Sequence, residues 1–178
     1  MFCKHVENVY FTDMKTLYLV RHSKSSWSID GIPDRDRPLK GRGIRDAHLV
    51  SEVINHSLRG NSSVKLYSSP ATRALHTALI FAKNFNIKAS QVAIKESLYD
   101  CNMHGFLSCV KSGSDTSDIA FYFAHNPTIT EFVNIMTNAQ ISNIPTTGLV
   151  SIRFDVDHWA EIEPDAELIQ FEYPKRLK

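Results

Sequence analysis

The chain has 178 residues, 43% of them hydrophobic and 22% charged. At about 100–200 residues per domain, this suits one globular domain with a substantial core rather than two. Twenty Lys and Arg against nineteen Asp and Glu leave a formal charge of +1, too weak a field to draw the protein to nucleic acid or to an anionic membrane.

Cys3, Cys101 and Cys109 make neither a closely spaced metal pair nor an even disulfide set. They read as reduced thiols of a cytoplasmic protein, and a zinc site built on Cys is excluded. Charges in the first eight residues break up any apolar run that could act as a secretion leader. Nowhere do ~18 consecutive apolar residues occur, so no membrane-spanning helix is expected. Residues 1–13 are expected to be a disordered N-terminal extension, and residues 14–178 a single domain.

In chain order, Leu17 to Val20 is a short β-forming apolar run that predicts a buried strand, with Arg21 and His22 directly after it. The polar stretch from Ser23 to Leu39, with Gly31, Pro33 and Pro38, predicts a loop long enough to carry function. Ile44, Ala47, Val50, Ile54 and Leu58 then recur at helical spacing, which predicts an amphipathic helix ending near Gly60. Val64 to Tyr67 predicts the next strand. Ser69-Pro70 reads as the N-cap and first turn of a helix whose buried stripe is Ala71, Ala74, Ala78, Ala82 and Phe85.

Gln91 to Ile94 predicts a weaker strand, and Met103 to Val110 a short helix interrupted by Gly105. Ile119 to Ala124 is a strong central strand ending at His125, and Pro127 opens a further helix with Ile129, Phe132, Val133 and Met136 on one face. Gly148 to Val156 and Glu167 to Tyr173 predict two closing strands, one of them antiparallel. Strands alternating with helices imply a three-layer α/β/α domain with a mostly parallel sheet.

Ligands of such sheets bind outside the carboxyl ends of the strands, where helix N-termini also point. Three strand-to-helix junctions deliver chemistry to that edge: Arg21-His22, Arg73 after Ser68-Ser69-Pro70, and His125-Asn126-Pro127. Two guanidiniums and two imidazoles suit a phosphoryl group, because Arg matches phosphate oxygens with paired donors.

The segment Leu19-Val20-Arg21-His22-Ser23 resembles the Arg-His-Gly signature of the histidine phosphatase superfamily, which has the phosphoglycerate mutase-like fold. Ser68-Ser69-Pro70-Ala71-Thr72-Arg73-Ala74 with Thr77-Ala78 is similar to the second motif of that family, and Ala124-His125-Asn126-Pro127 to the segment of its second His. Arg21 to Trp27, Asp36-Arg37-Pro38-Leu39 and Gly41-Arg42-Gly43 further resemble its small single-domain branch, typified by the phosphohistidine phosphatase SixA. The resemblance spans roughly residues 15–155 and departs from the signature at position 23, which is Ser in place of Gly.

The resemblance implies that His22 is the nucleophile, giving a phosphohistidine intermediate, and that Arg21, Arg73 and a protonated His125 bind the phosphoryl oxygens. Arg37 is a further candidate for phosphate or substrate binding. At a pKa of ~6.5, a free imidazole is largely neutral at pH 7 and can attack without a separate base. Neither metal nor other cofactor is expected. Larger members of the family place a leaving-group acid between the second motif and the last His; Glu96 and Asp100 are the candidates in that interval, which also holds His104.

The implied activity is a metal-independent histidine phosphatase whose partner is a phosphohistidine-bearing protein. A small phosphorylated substrate, turned over by a phosphomonoesterase or mutase of the same fold, is the alternative within this chemistry. The alternative outside it is a catalytically silent phospholigand-binding module. Trp27 reads either as a platform for substrate or as an aromatic pinning its own loop.

Overall fold

The computed structural model describes residues 14–28, 30–58 and 63–178. The N-terminal extension with Cys3 lies outside the described residues, as does Gly60; the helix predicted to end near Gly60 ends at Ser57.

Every position of the first strand is chosen by which face it must cover. In β1 (Lys15–Arg21), Leu17 and Leu19 turn to one side of the sheet while Tyr18 and Val20 turn to the other, and all four are buried. A continuous apolar run, rather than an alternating one, is what a strand covered on both faces requires. β4 (Ile119–Ala124) repeats the pattern with all six residues buried. Tyr122 packs towards one layer and Phe121 and Phe123 towards the other.

The remaining strands are β2 (Val64–Ser68), β3 (Val92–Ile94), β5 (Leu149–Phe154) and β6 (Glu167–Glu172), and the sheet order is β3-β2-β4-β1-β5-β6. The first four are mutually parallel, β5 runs antiparallel to β1, and β6 runs antiparallel to β5. The sheet is therefore a parallel block with an antiparallel ribbon at one edge, and five strands share a direction.

Helices α1 (Gly41–Ser57) and α2 (Thr72–Asn84) cover one face through Ala47, Val50, Ile54, Ala78 and Phe81. Helices α3 (Met103–Lys111) and α4 (Thr128–Thr137) cover the other through Phe106, Val110, Phe132 and Val133, joined by the fully buried Trp159. The predicted three-layer arrangement is the one observed. No helix among the described residues is long and apolar enough to cross a membrane.

Local expectations were revised at three points. Ser69 is not the cap of α2: the chain bends at Pro70 and Ala71, Ala71 occupies the N-cap position without a side-chain cap, and the helix starts at Thr72. Gly105 does not interrupt α3, because it falls in the first turn, where its N–H donates to Oδ1 of the N-cap Asn102 at 2.9 Å. The loop from Ser23 to Leu39 carries structure of its own, with a 3-10 turn at Asp34–Asp36 and a bridge between Ser25 and Leu39.

Candidate active site

Register places the reactive groups. Arg21 pairs with Ala124 and Val20 with Phe123 across β1 and β4, while Ser68 pairs with Phe123 across β2 and β4. Three neighbouring parallel strands thus end level. The backbone then fixes the next residues: His22 N–H donates to Ala124 O at 3.1 Å and Ser69 N–H to Phe123 O at 3.0 Å. Arg21, His22, Arg73 and His125 are gathered at one sheet edge, and the His22 and His125 rings lie 5.2 Å apart, centre to centre.

Ser23 explains its own departure from the signature. It is fully buried, its N–H donates to Thr77 Oγ1 at 3.0 Å, and its Oγ accepts from Thr147 Oγ1 at 2.8 Å. The hydroxyl that Gly would lack is satisfied by a partner from the far end of the chain. Gly43 is required nearby: a Cβ there would meet the Lys24 carbonyl oxygen at 2.4 Å, so the start of α1 seats directly on the strand exit.

His22 Nδ1 lies 2.9 Å from the Ser23 carbonyl oxygen. A carbonyl only accepts, so Nδ1 carries the hydrogen and Nε2 keeps its lone pair. Burial pushes the His22 pKa down from 6.5 to about 4; Arg73, Arg21 and Arg37 act in the same direction and the Ser23 carbonyl against it. Burial likewise brings His125 down to about 3, with His22 and Arg73 adding to the effect. Both imidazoles are therefore neutral near neutral pH. This revises the expected protonated His125: a positive imidazole buried beside Arg73 and Arg21 needs an arriving anion to be stable.

Around these rings, three buried nitrogens have no hydrogen-bond partner among the described residues: Arg21 Nε, Arg73 Nε and His125 Nδ1. Arg21 is steered from the loop before β5, through Nη1 to Ile144 O at 2.8 Å and Asn143 Oδ1 at 3.3 Å. Asn126 reaches the same two oxygens, at 3.0 and 2.8 Å. Arg37 is buried in the loop, where its Nη1 donates to Ser25 Oγ at 3.1 Å. Trp27 stacks on it with its ring centre 3.4 Å from the guanidinium carbon, so the indole pins its own loop while remaining 72% exposed.

Asp34 was not anticipated from the sequence. Its carboxylate accepts from Arg37 Nε at 2.9 Å and from Arg73 Nη2 at 2.9 Å, while its carbonyl accepts from Arg73 Nη1 at 2.6 Å. Burial alone would raise its pKa, but Arg73 and Arg37 together outweigh that and hold the carboxyl below its usual range. The only hint in the sequence is the alternation Asp34-Arg35-Asp36-Arg37.

A cleft of about 580 Å³ opens beside these groups, walled by Arg73, His125, Asp34, Tyr99, Asp100 and Glu131 among others. The two acid candidates separate here. Asp100 is on the cleft wall, whereas Glu96 is exposed and paired through both oxygens with Arg35, at 2.9 and 3.0 Å. His104 is exposed on the first turn of α3. Cys109 is buried in the core and Cys101 half-buried. Among the described residues, no three His, Cys, Asp or Glu side chains gather as a metal-ligand set.

The chain is similar to known proteins in sequence and in fold. An uncharacterised protein of Mycobacterium tuberculosis is 30% identical over 167 residues, covering 88% of this chain and all of the relative. The structure of the protein histidine phosphatase SixA complexed with tungstate superposes with a TM-score of 0.76 at 16% identity, covering 92% of this chain and 99% of that one. A candidate phosphohistidine phosphatase SixA of Agrobacterium tumefaciens gives 0.73 at 23% identity, with 90% and 98% covered. The fold is thus the phosphoglycerate mutase-like fold of the SixA structures. The model of the histidine phosphatase superfamily (branch 1) matches residues 17–108, just over half of the chain and the stretch that holds Arg21, His22 and Arg73. On that match, this chain is a member of the histidine phosphatase superfamily, branch 1.

Proposed function

We propose that the protein is a metal-independent phosphatase that removes the phosphoryl group from phosphohistidine on a protein, through a phosphohistidine intermediate on His22. Membership of the family supports phosphatase chemistry on a phosphorylated substrate, and the likeness to SixA structures motivates the protein-borne phosphohistidine. The observation that carries the reading is His22 with Nδ1 tied to Ser23 O and Nε2 left free, its ring 5.2 Å from that of His125, at a sheet edge where Arg21 Nε, Arg73 Nε and His125 Nδ1 are buried without partners.

In the proposed reaction, Nε2 forms a bond to phosphorus as the bond to the leaving nitrogen breaks. Positive charge developing on the His22 ring is held by the Nδ1–H bond to Ser23 O. Arg21, Arg73 and His125 stabilise the equatorial oxygens, the effect that dominates phosphoryl transfer. Water then attacks phosphorus, releasing phosphate and restoring His22. An imidazole leaves neutral when its ring is protonated, so this substrate needs no strong acid in the cleft. A reducing cytoplasmic setting agrees with the free thiols Cys101 and Cys109.

The second reading, a small-molecule phosphomonoesterase, is favoured by the Asp100 carboxylate on the cleft wall. The test is a side-by-side assay of a phosphohistidine peptide, a phosphoserine peptide and phosphoglycerate, with and without excess chelator. Higher kcat/KM for the phosphohistidine peptide, unchanged by chelator, is expected. Faster turnover of an aliphatic phosphomonoester would favour the second reading. Vanadate binding with no turnover of any substrate would mean a silent binding module, and loss with chelator that returns with magnesium would refute metal independence.

A further inference from the structure

A carboxylate in the midst of an anion-binding site works against the charge that the site gathers. Asp34 nevertheless makes more contacts to the cationic groups than any other side chain described there. It takes both terminal nitrogens of Arg73, at 2.6 Å on its carbonyl and 2.9 Å on Oδ2. On Oδ1 it takes Arg37 Nε at 2.9 Å and Nη2 at 2.8 Å. The Tyr99 hydroxyl donates to Oδ2 at 3.3 Å. Both arginine side chains are nearly buried, at 7% and 10% exposure, whereas that of Asp34 is 49% exposed and forms part of the cleft wall.

We propose that Asp34 is a positioning residue, a built-in counter-anion that fixes the two guanidiniums in one orientation and restrains the affinity of the site for released phosphate. The inference rests on the phosphoryl-binding reading of the cleft. A guanidinium has five N–H donors in a fixed fork. Asp34 takes the outer side of the Arg73 fork, leaving Nε, buried and without a partner, to a phosphoryl oxygen. Held this way, Arg73 does not reorganise when substrate arrives, which is the condition for electrostatic stabilisation at the moment of reaction. The same negative charge offsets part of the attraction between the arginines and the dianionic product, so phosphate leaves more readily.

The charge and the positioning are separable by substitution. Asp34→Asn keeps the size and one acceptor oxygen but deletes the charge, and Asp34→Glu keeps the charge. Inorganic phosphate and vanadate are the probes, read both as inhibitors of turnover and by calorimetric titration of the unreacted protein, so that the measurement stands even if no substrate is turned over. Asp34→Asn is expected to bind phosphate at least about tenfold tighter, since one unit charge at hydrogen-bond distance is removed, and to show a lower kcat with a lower KM. Asp34→Glu is expected to return phosphate affinity towards that of the parent. Because Asp34 is half exposed, both variants should keep the parental circular dichroism; if Asn does not, Asp34→Ser reads the same loss of charge. Unchanged or weaker phosphate affinity in the folded charge-deleted protein would overturn the proposal, leaving Asp34 as a tie that only holds its loop. Absence of turnover with tighter phosphate binding would instead sink the phosphatase reading and leave the role of Asp34 standing.

Discussion

Ser69 Oγ lies 2.8 Å from His125 Nε2 and also accepts the Ala71 N–H at 3.3 Å. A hydroxyl has one hydrogen and two acceptor sites, so Ser69 can give its hydrogen to the imidazole while it accepts from the backbone. With Ser69 as the donor, His125 carries its hydrogen on Nδ1, the atom buried without a partner, and a neutral ring can still donate to a phosphoryl oxygen. His125→Ala, like Arg73→Ala, is expected to lower kcat about 10²–10³-fold, as for other donors to developing negative charge. Ser69→Ala, which removes one orienting hydrogen bond, is expected to lower it up to about tenfold. Steady-state kinetics of the three variants checks this; a change confined to KM would restrict these residues to substrate binding.

Rapid quenching with labelled substrate should trap a phosphoenzyme that is labile to acid and stable to alkali, the behaviour of a P–N bond. His22→Ala is expected to abolish it. An undiminished yield in that variant would place the nucleophile elsewhere.

The two imidazoles also set the response to acid. Both have folded-state pKa values, about 4 and about 3, below the ordinary 6.5. The unfolded chain therefore binds more protons as pH falls below 6.5, and stability rises with pH through that window. The denaturant midpoint is expected to fall from pH 7 to pH 5, with a shallower fall in His22→Asn. In nuclear magnetic resonance titrations the two ring signals should remain in the neutral position at pH 5, where an ordinary imidazole is mostly protonated. A midpoint near 6.5 for either ring would contradict the burial argument.

Glu96 and Asp100 separate in the same way under mutation. Glu96→Gln is expected to leave activity within about twofold, since an exposed ion pair contributes little. Asp100→Asn should spare the phosphohistidine peptide. If the cleft uses Asp100 as an acid on alkoxide leaving groups, the same variant should lose about 10²-fold or more on a phosphomonoester. Comparing the two substrates in the one variant tells which chemistry the cleft serves.

Gly43→Ala forces a Cβ against the Lys24 backbone, two residues beyond His22. Overpacking of this kind costs about 1–3 kcal/mol, seen as a lower melting temperature. Because neither the Lys24 backbone nor the helix backbone can step aside without moving the strand exit, kcat should fall as well. Gly41→Ala, whose nearest neighbour is the mobile end of Arg45 at 3.6 Å, serves as the control.

The parts of the site legible in the sequence are those that one chain segment carries by itself. Arg21-His22 and His125 follow strands whose apolar runs are unmistakable, and Arg73 lies in the first turn of the helix after β2. Asp34 was hidden because its meaning comes from Arg73, which lies 39 positions further along the chain. Ser69 was misread because Ser before Pro has the form of a helix cap, whereas its hydroxyl is drawn to a ring 56 positions away. Trp27 left two readings open, and its stacking on Arg37, ten positions on, has no marker in the sequence. The antiparallel edge was legible in outline, but the bulge between Ser151 and Ile152 has no marker in the composition of β5.

The position of β1 in the sheet also governs when a growing chain can become active. Its neighbours are β4, more than 95 residues downstream, and β5, which ends at Phe154. Until those segments have left the ribosome, the strand that carries His22 has no partner on either side. The Thr147 N–H, which caps the carbonyls of Arg21 and His22 at 3.1 and 3.3 Å, is also still to come. Pairings this distant form late in folding. His22, the proposed nucleophile, is among the first residues of the domain to be synthesised and among the last to be set in place, so a truncated or stalled chain carries this histidine without the site around it.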